Sequence, residues 1–391
     1  MALPQASADS LNASGDPVWR DPQAARLPAL DADIDADACV VGLGGSGLAA
    51  IEAFVDAGLD VVGIDRDDIA AGAAGANGGF LLAGLAQFHH DAVRRFGRER
   101  ALGIYRLTCA ELERVYAAYP SSTRRTGSLR IAADAAEESD CAAQIDAMLA
   151  DGLAVSAYDG PDGRGLVVPG DGAFQPALHW RAVARSLAVR GARLFGDAAM
   201  TSVEAGLVHT RQARVRAPIV VIAIDGGLEA ALPSLAGRVR SVRLQMLATD
   251  AAPECSISQP VYFRHGHDYW QQLPDGRIAL GGGRDVGGDA EWQAGPGVST
   301  PVQRHLETLL RERLGTRAPI AHRWSAAVAF TADGLPAFGE HLPGVFVTGA
   351  YNGTGNIFGG LCGRALAHLA LGERTQLAGY LLEGRSTDFR S

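Results

Sequence analysis

Residues 35–51 read DADACVVGLGGSGLAAI: an apolar strand runs into G-x-G-x-x-G (Gly42, Gly44, Gly47) and straight on into a helix of small residues. Glycines at this spacing make a tight turn, let backbone approach a pyrophosphate and let the helix pack close to the strand. Residues 343–369, PGVFVTGAYNGTGNIFGGLCGRALAHL, repeat that grammar, with an apolar strand at 345–348, a Gly/Asn turn at 349–356 and a second helix. At each turn the first N–H groups of a helix lack intrahelical partners and face whatever lies there. One such place suits a pyrophosphate. The other suits the electron-rich end of the same elongated cofactor, a need that FAD has and a simple nicotinamide dinucleotide does not.

Working outward, residues 37–63 read strand, turn, helix, strand, which is the β-α-β mononucleotide unit. Asp65 ends the second strand, 23 positions past Gly42, where an acidic residue is expected to hold a ribose. Residues 69–84 (IAAGAAGANGGFLLAG) are almost all small and read as backbone packed against something flat. Helical spacing covers 89–119, 135–151, 174–190 and 300–314. Residues 218–224 are apolar on both faces and read as a buried strand of the nucleotide sheet. Strands dominate 238–285, with a hairpin turn at Asp275 and Gly276. The expected fold class is α/β (α+β overall): a Rossmann-type FAD-binding domain assembled from discontinuous segments, plus an antiparallel-sheet substrate domain. The expected bounds are an extended arm at 1–36, the FAD-binding domain at 37–88, 165–236 and 321–375, the substrate domain at 89–164 and 237–320, and a tail at 376–391.

The chain has 391 residues, is 47% hydrophobic and carries a formal charge of −9. Acidity without a basic run argues against nucleic acid and anionic membrane. All 35 basic side chains are arginine, so no Schiff-base, P-loop or catalytic lysine exists. The five scattered cysteines suggest a reducing compartment, and residues 1–30 lack a signal-peptide pattern. No apolar window reaches membrane-helix length. A cytoplasmic protein is expected. His89, His90, His265 and His267 lack partners at ligand spacing, so no metal is expected.

Five collinear segments carry a resemblance: VVGLGGSGLAA at 40, GIDRDDIAAGAAGANGGF at 63, VIAIDGG at 221, YWQQLPDGRIALGGGRD at 269, and FTADGLPAFG at 330 with VTGAYNGTGN at 347. The chain resembles the D-amino-acid-oxidase/glycine-oxidase superfamily of FAD-dependent oxidoreductases, and within it the γ-glutamylputrescine-oxidase-like branch, to which the PVWRDP arm is also similar. The resemblance implies that Gly42, Gly44, Gly45, Ser46 and Gly47 hold the pyrophosphate, and that Asp65 takes the adenosine ribose with Arg66 beside the adenine. It implies that Ala73, Ala74, Gly75, Asn77, Gly78 and Gly79 line the ribityl chain and isoalloxazine. Met200 would offer backbone to adenine, and Ala223 would belong to the same cradle. Gly353, Thr354, Gly355, Asn356 and Ile357 would meet the flavin N1/C2=O edge, where a helix N-terminus stabilises the negative charge of reduced flavin.

Three departures bear on the substrate. Ala76 stands where the branch commonly has arginine. Ile357 occupies a position that is lysine in sarcosine-oxidase relatives. Gln271, Gln272 and Leu273 stand where glycine-oxidase relatives place a carboxylate-binding arginine, which leaves Arg264 or Arg284 as possible clamps. Substrate-side candidates are Tyr351, His265, Tyr269, Gln271 and Tyr262, with Trp324 as an apolar wall; Cys362 reads as a core thiol, so the FAD is expected to be noncovalent. The reading is oxidation of a C–N bond in a small amine or amino-acid-like substrate by hydride transfer to flavin N5. The imine is hydrolysed, and O2 or another acceptor takes the electrons. The alternatives are a flavin-dependent tailoring enzyme or dehydrogenase acting on a larger natural product without O2, and a non-catalytic FAD-binding protein.

Overall fold

The computed structural model describes residues 15–385. A six-stranded sheet holds the first glycine turn and the second side by side. Its strands run in the order Arg193–Phe195, Val61–Ile64, Ala38–Val41, Ile219–Ala223, Val345–Gly349 and Ala337–Leu342. The first five are parallel and only the last is antiparallel. The central strands are buried on both faces, as their unbroken apolar runs require. Ile219–Ala223 separates the two turn-bearing strands, so both turns leave the same end of the sheet, the usual ligand edge of an open parallel sheet.

The helices that follow the two turns, Gly45–Asp56 and Gly360–Ala370, pack against each other. Glycine is what allows the approach: a Cβ on Gly363 would stand 1.9 Å from the Ser46 carbonyl oxygen.

An eight-stranded sheet forms the second layer, in the order Ile320–Thr331, Val239–Ala251, Arg277–Gly282, Asp268–Gln272, Val261–Phe263, Ser128–Ile131, Gly163–Val168 and Ser156–Gly160. The segments Gly163–Val168 and Ile320–Thr331, which the sequence bounds put largely with the cofactor half, hydrogen-bond into this sheet. Ile320–Thr331 pairs with Val239–Ala251 over almost its full length, from Val239↔Thr331 to Thr249↔Ile320, and Gly163–Val168 pairs with Ser128–Ile131 and Ser156–Gly160. One sheet face buries Trp270, Leu129, Ile278 and Leu280 under the helix Thr300–Thr308. The other face looks toward the loop that follows the second strand of the nucleotide unit.

The segment read as an extended arm is docked over residues 15–36. Val18, Trp19 and Leu30 are buried, and Ile34–Asp35 pairs with Arg214–Arg216; residues 1–14 lie outside the described part. The expected tail contains a short helix, Gln376–Leu382, with Leu377, Ala378 and Leu381 in the core. Among the described residues no helix is long and apolar enough to cross a membrane.

Candidate active site

The first turn is shaped by close approach of backbone. Gly42 has φ 102°, and a Cβ there would sit 2.4 Å from the Ala223 carbonyl oxygen. A Cβ on Gly47 would sit 1.8 Å from the Gly42 carbonyl oxygen. Gly44 caps the helix without a side chain, and the first helical turn carries no acidic residue. The helix therefore presents bare N–H groups and no competing anion, which suits a pyrophosphate. Gly45 lies under the Trp180 indole, and Ser46 is buried.

Asp65 accepts from the Leu43 N–H (2.8 Å) and the Asp67 N–H (3.0 Å). Burial raises its pKa against those two donors. Arg66 is exposed and ion-paired to Asp67. The backbone leading to Met200 reaches the same place, where the Ala198 N–H donates to the Asp65 carbonyl.

The small-residue loop is pinned from outside by long side chains. Trp180, Trp324 and Trp19 donate their indole N–H groups to the carbonyls of Ala74 (3.1 Å), Ala76 (2.8 Å) and Asn77 (2.8 Å). Gln271 donates to Gly78 (2.6 Å) and Gly79 (3.0 Å), and its own carbonyl accepts from Arg124. Asn77 then ties the loop to the second turn, because its amide and that of Asn356 exchange hydrogen bonds at 3.0 and 3.1 Å. Ala73 also accepts from the Asn77 amide, and Asn356 reaches the Phe80 carbonyl. A Cβ on Gly75 would meet the Ala70 carbonyl oxygen, so this stretch is backbone against backbone.

The second turn is held in an uncommon shape. Ala350 (φ 57°) and Asn352 (φ 55°) are left-handed without being glycine. Asp225 fixes them: its buried carboxyl accepts from the N–H groups of Tyr351 (3.0 Å) and Ala329 (3.4 Å). Desolvation raises the Asp225 pKa to about 6. Gly353 has φ 90° and open space around it, and a π-helical turn, Gly355–Gly359, leads into the helix Gly360–Ala370 without a side-chain cap.

The substrate candidates fall in three places. Tyr262 and Tyr269 stand together with Phe80, at ring distances of 5.2 Å and 6.0 Å from Phe80 and 6.1 Å from each other. Tyr351 turns into the interior, where its hydroxyl is within reach of Ser46 and Thr348, and burial raises its pKa. Its ring covers Gly355 and Gly359. Gln271 and Trp324 are buried behind the loop as its donors rather than facing open space. His265 lies on the rim, its ring on Asp140 at 3.0 Å and its N–H on Glu137. Cys362 is fully buried, and desolvation raises its thiol pKa.

The sequence reading did not single out Asp225, Trp19, Trp180, Arg130 or Asp171. Asp225 and Trp19 both lay inside quoted segments, VIAIDGG and PVWRDP. Asp171, buried, accepts from Ser128 Oγ (2.6 Å) and the Ala83 N–H (2.9 Å), and burial raises its pKa to about 6.

Substitution of Gln271 checks the pinning role. Gln271→Leu leaves the half-buried Gly78 carbonyl without its donor, while the Gly79 carbonyl keeps the Phe174 N–H, a loss of about 1 kcal/mol. The variant is expected to melt about 2–4 °C lower and to release bound flavin faster. Unchanged melting and flavin release would remove Gln271 from this role.

A parallel nucleotide sheet, two uncapped glycine-rich helix starts at one edge and a loop clasping both define a flavin-type dinucleotide-binding oxidoreductase. The chain belongs to the DAO family of FAD dependent oxidoreductases, whose model it matches over residues 37–369. Its cofactor is FAD. The fold is that of glycine oxidase from Geobacillus kaustophilus, with a TM-score of 0.74 at 21% identity over 90% of this chain and 99% of that one. L-proline dehydrogenase from P. horikoshii gives a TM-score of 0.73 at 18% identity, over 93% of this chain and 98% of that one. In sequence, the chain is 26% identical over 225 residues to probable oxidoreductase OrdL of Rhizobium meliloti (strain 1021). That match takes in 54% of this chain and spans only half the length of that relative.

Proposed function

We propose that this protein oxidises the C–N bond of a small amine or amino-acid-like substrate, the imine then being hydrolysed to a carbonyl product. One observation carries the reading. A small cavity lies beside the strand that follows the loop that would meet the flavin, lined by Leu82, Ala83, Tyr105, Arg130, Asp171 and Tyr262. Bound noncovalently, FAD would take the hydride at N5 and pass the electrons to O2 or another acceptor.

The chain's own residues prepare the substrate. Phe80, Tyr262 and Tyr269 exclude water from the approach to the loop. The three rings disfavour an ammonium at the loop, and no strong general base stands among them. Burial raises the pKa of both tyrosines, which keeps their hydroxyls protonated as hydrogen-bond donors. His265, paired at the rim, is not required. The names of the two structural relatives support amino-acid C–N chemistry on this fold. The γ-glutamylputrescine-oxidase-like branch rests on the sequence segments alone.

A dehydrogenase is the second reading. It is favoured by the absence of lysine and by a buried Ile357 where relatives carry one. One experiment addresses both. Holoprotein is mixed anaerobically with polyamines, N-methyl amino acids and D-amino acids while flavin absorbance is followed, and air is then admitted. Bleaching by at least one amine is expected. No bleaching by any member of these classes overturns the proposal, and reduced flavin that survives air for minutes assigns the dehydrogenase.

A further inference from the structure

The cavity beside the strand after the loop has a polar lining and room for about one water. Asp171 lines it and is 4% exposed. Each of its oxygens accepts one hydrogen bond, from the Ala83 N–H (2.9 Å) and from Ser128 Oγ (2.6 Å). A carboxylate offers about four acceptor sites, so Asp171 keeps capacity for a further donor. Donors without partners stand around the same space. Gln87 Nε2 is buried there with no hydrogen bond. The Tyr262 hydroxyl and the Arg130 guanidinium also have none among the described residues.

Tyr262 connects this cavity to the substrate side of the sheet. It is opposite Tyr269 on the neighbouring strand, and cross-strand partners share a face. The Tyr269 ring stands 3.0 Å from the Cβ position of Gly78 on the loop. Tyr262 therefore has Phe80 and Tyr269 on its ring and the Asp171 cavity beside it.

We propose that Asp171 is the proton sink for the substrate amine, acting through the Tyr262 hydroxyl and a water held in this cavity. The ammonium N–H bond breaks and the Asp171 O–H bond forms, with the hydroxyl and the water each giving one proton as they take one. A cation and an anion become two neutral groups, which low polarity favours. The amine keeps its lone pair for C–N oxidation, and the proton returns to solvent when the product leaves. Burial carries the Asp171 pKa up to about 6 against its hydrogen bonds and the Arg130 charge, so it is ionised at neutral pH. Tyr105, Cys109 and Tyr116 from the helix Arg98–Ala118 and Tyr262 from the sheet feel that charge. Burial raises each of them, so all stay protonated where Asp171 titrates. Gln87 and Gln144, also in the lining, carry no charge.

This rests on the proposed function, and the test separates the two. Anaerobic reduction of the holoprotein by the amines named above is timed by stopped flow across the pH range. The wild-type rate is expected to fall as pH drops through about 6. Asp171→Asn still accepts from the Ala83 N–H, and Tyr262→Phe keeps the ring. Both should be slower on the order of a hundredfold at neutral pH and should lose that limb. Asp225 is intact in both, so a limb belonging to it would remain. Flavin content of each variant verifies folding. Without any amine, infrared titration of the holoprotein should show a protonated carboxyl forming below about pH 6. Asp171→Asn should lack it and Tyr262→Phe should keep it. A wild-type rate without the limb, a limb unchanged in Asp171→Asn, a Tyr262→Phe rate equal to wild type, or no such carboxyl overturns this inference and leaves the proposed function standing. Wild-type flavin that no amine bleaches overturns both.

Discussion

Gly47→Ala protein is expected to emerge from purification without flavin and to unfold more easily, whereas Gly58→Ala protein keeps its yellow colour. Gly47 is where the first helix crosses the strand that feeds it, and an added Cβ would stand 1.8 Å from the Gly42 carbonyl oxygen. That oxygen belongs to backbone and cannot rotate away, so the helix start must move off the turn. Overpacking of this kind costs about 1–3 kcal/mol or more. The displacement falls on the N–H groups that would meet a pyrophosphate, so cofactor affinity is expected to fall with stability. Gly58 closes the same helix at its far end with φ 80° and has nothing within 4 Å of its Cβ position. Alanine there meets only the left-handed backbone penalty, about 1–2 kcal/mol, with no effect on the turn. Flavin content per polypeptide and urea midpoints read both effects. Gly47→Ala protein that retains stoichiometric flavin would disconnect this turn from cofactor binding.

The contrast explains what could be read in the sequence. The fingerprint is local: three glycines, the strand before them and Asp65 lie within one β-α-β unit, and each residue type has a single geometric reason to be there. The second turn was legible for the same reason. The pins on the loop were not, because Trp19, Trp180 and Trp324 reach it from 58, 106 and 248 residues away. An indole or an amide in a strand looks the same in sequence whether it walls a pocket or donates to a carbonyl, so sequence alone sets Trp324 and Gln271 on the substrate side. Tyr351 lies on the second turn, but the left-handed residues on either side of it send the ring inward. His265 follows Arg264 in another left-handed pair, and that bend carries its ring to Asp140. Arg130 carries no local signature. Only the pairing of Ser128–Ile131 with Val261–Phe263, a parallel contact between distant segments, brings it beside Tyr262.

Asp225 offers the second large effect, and its sign follows from burial. Its carboxyl titrates near pH 6 in the folded protein, against an ordinary value of 3.8. A carboxyl raised on folding keeps its proton in the native state between those values while the unfolded chain releases it. Its stabilising contribution is therefore complete below about pH 4 and is lost as pH rises through about 6. Two pKa units and a little more correspond to about 3 kcal/mol. Asp225→Asn cannot titrate, so the unfolding free energy of wild type relative to the variant should fall by about 3 kcal/mol between pH 4 and pH 7.5. Asp171 titrates in the same range but is present in both proteins and cancels. Asp225→Ala removes the acceptor itself, leaving the Tyr351 and Ala329 N–H groups buried without a partner at about 1–3 kcal/mol each. The left-handed Ala350 and Asn352 then relax, and the turn that would face the flavin ring loses its shape. Flavin affinity is expected to fall about a hundredfold, equivalent to roughly 3 kcal/mol, while the first turn and the helix after it stay intact. Urea titrations at the two pH values and fluorimetric titration with FAD give the two readouts. A wild-type-to-Asn difference that does not move with pH would show that Asp225 is ionised throughout, and unchanged FAD affinity in Asp225→Ala would show that the turn keeps its form without it.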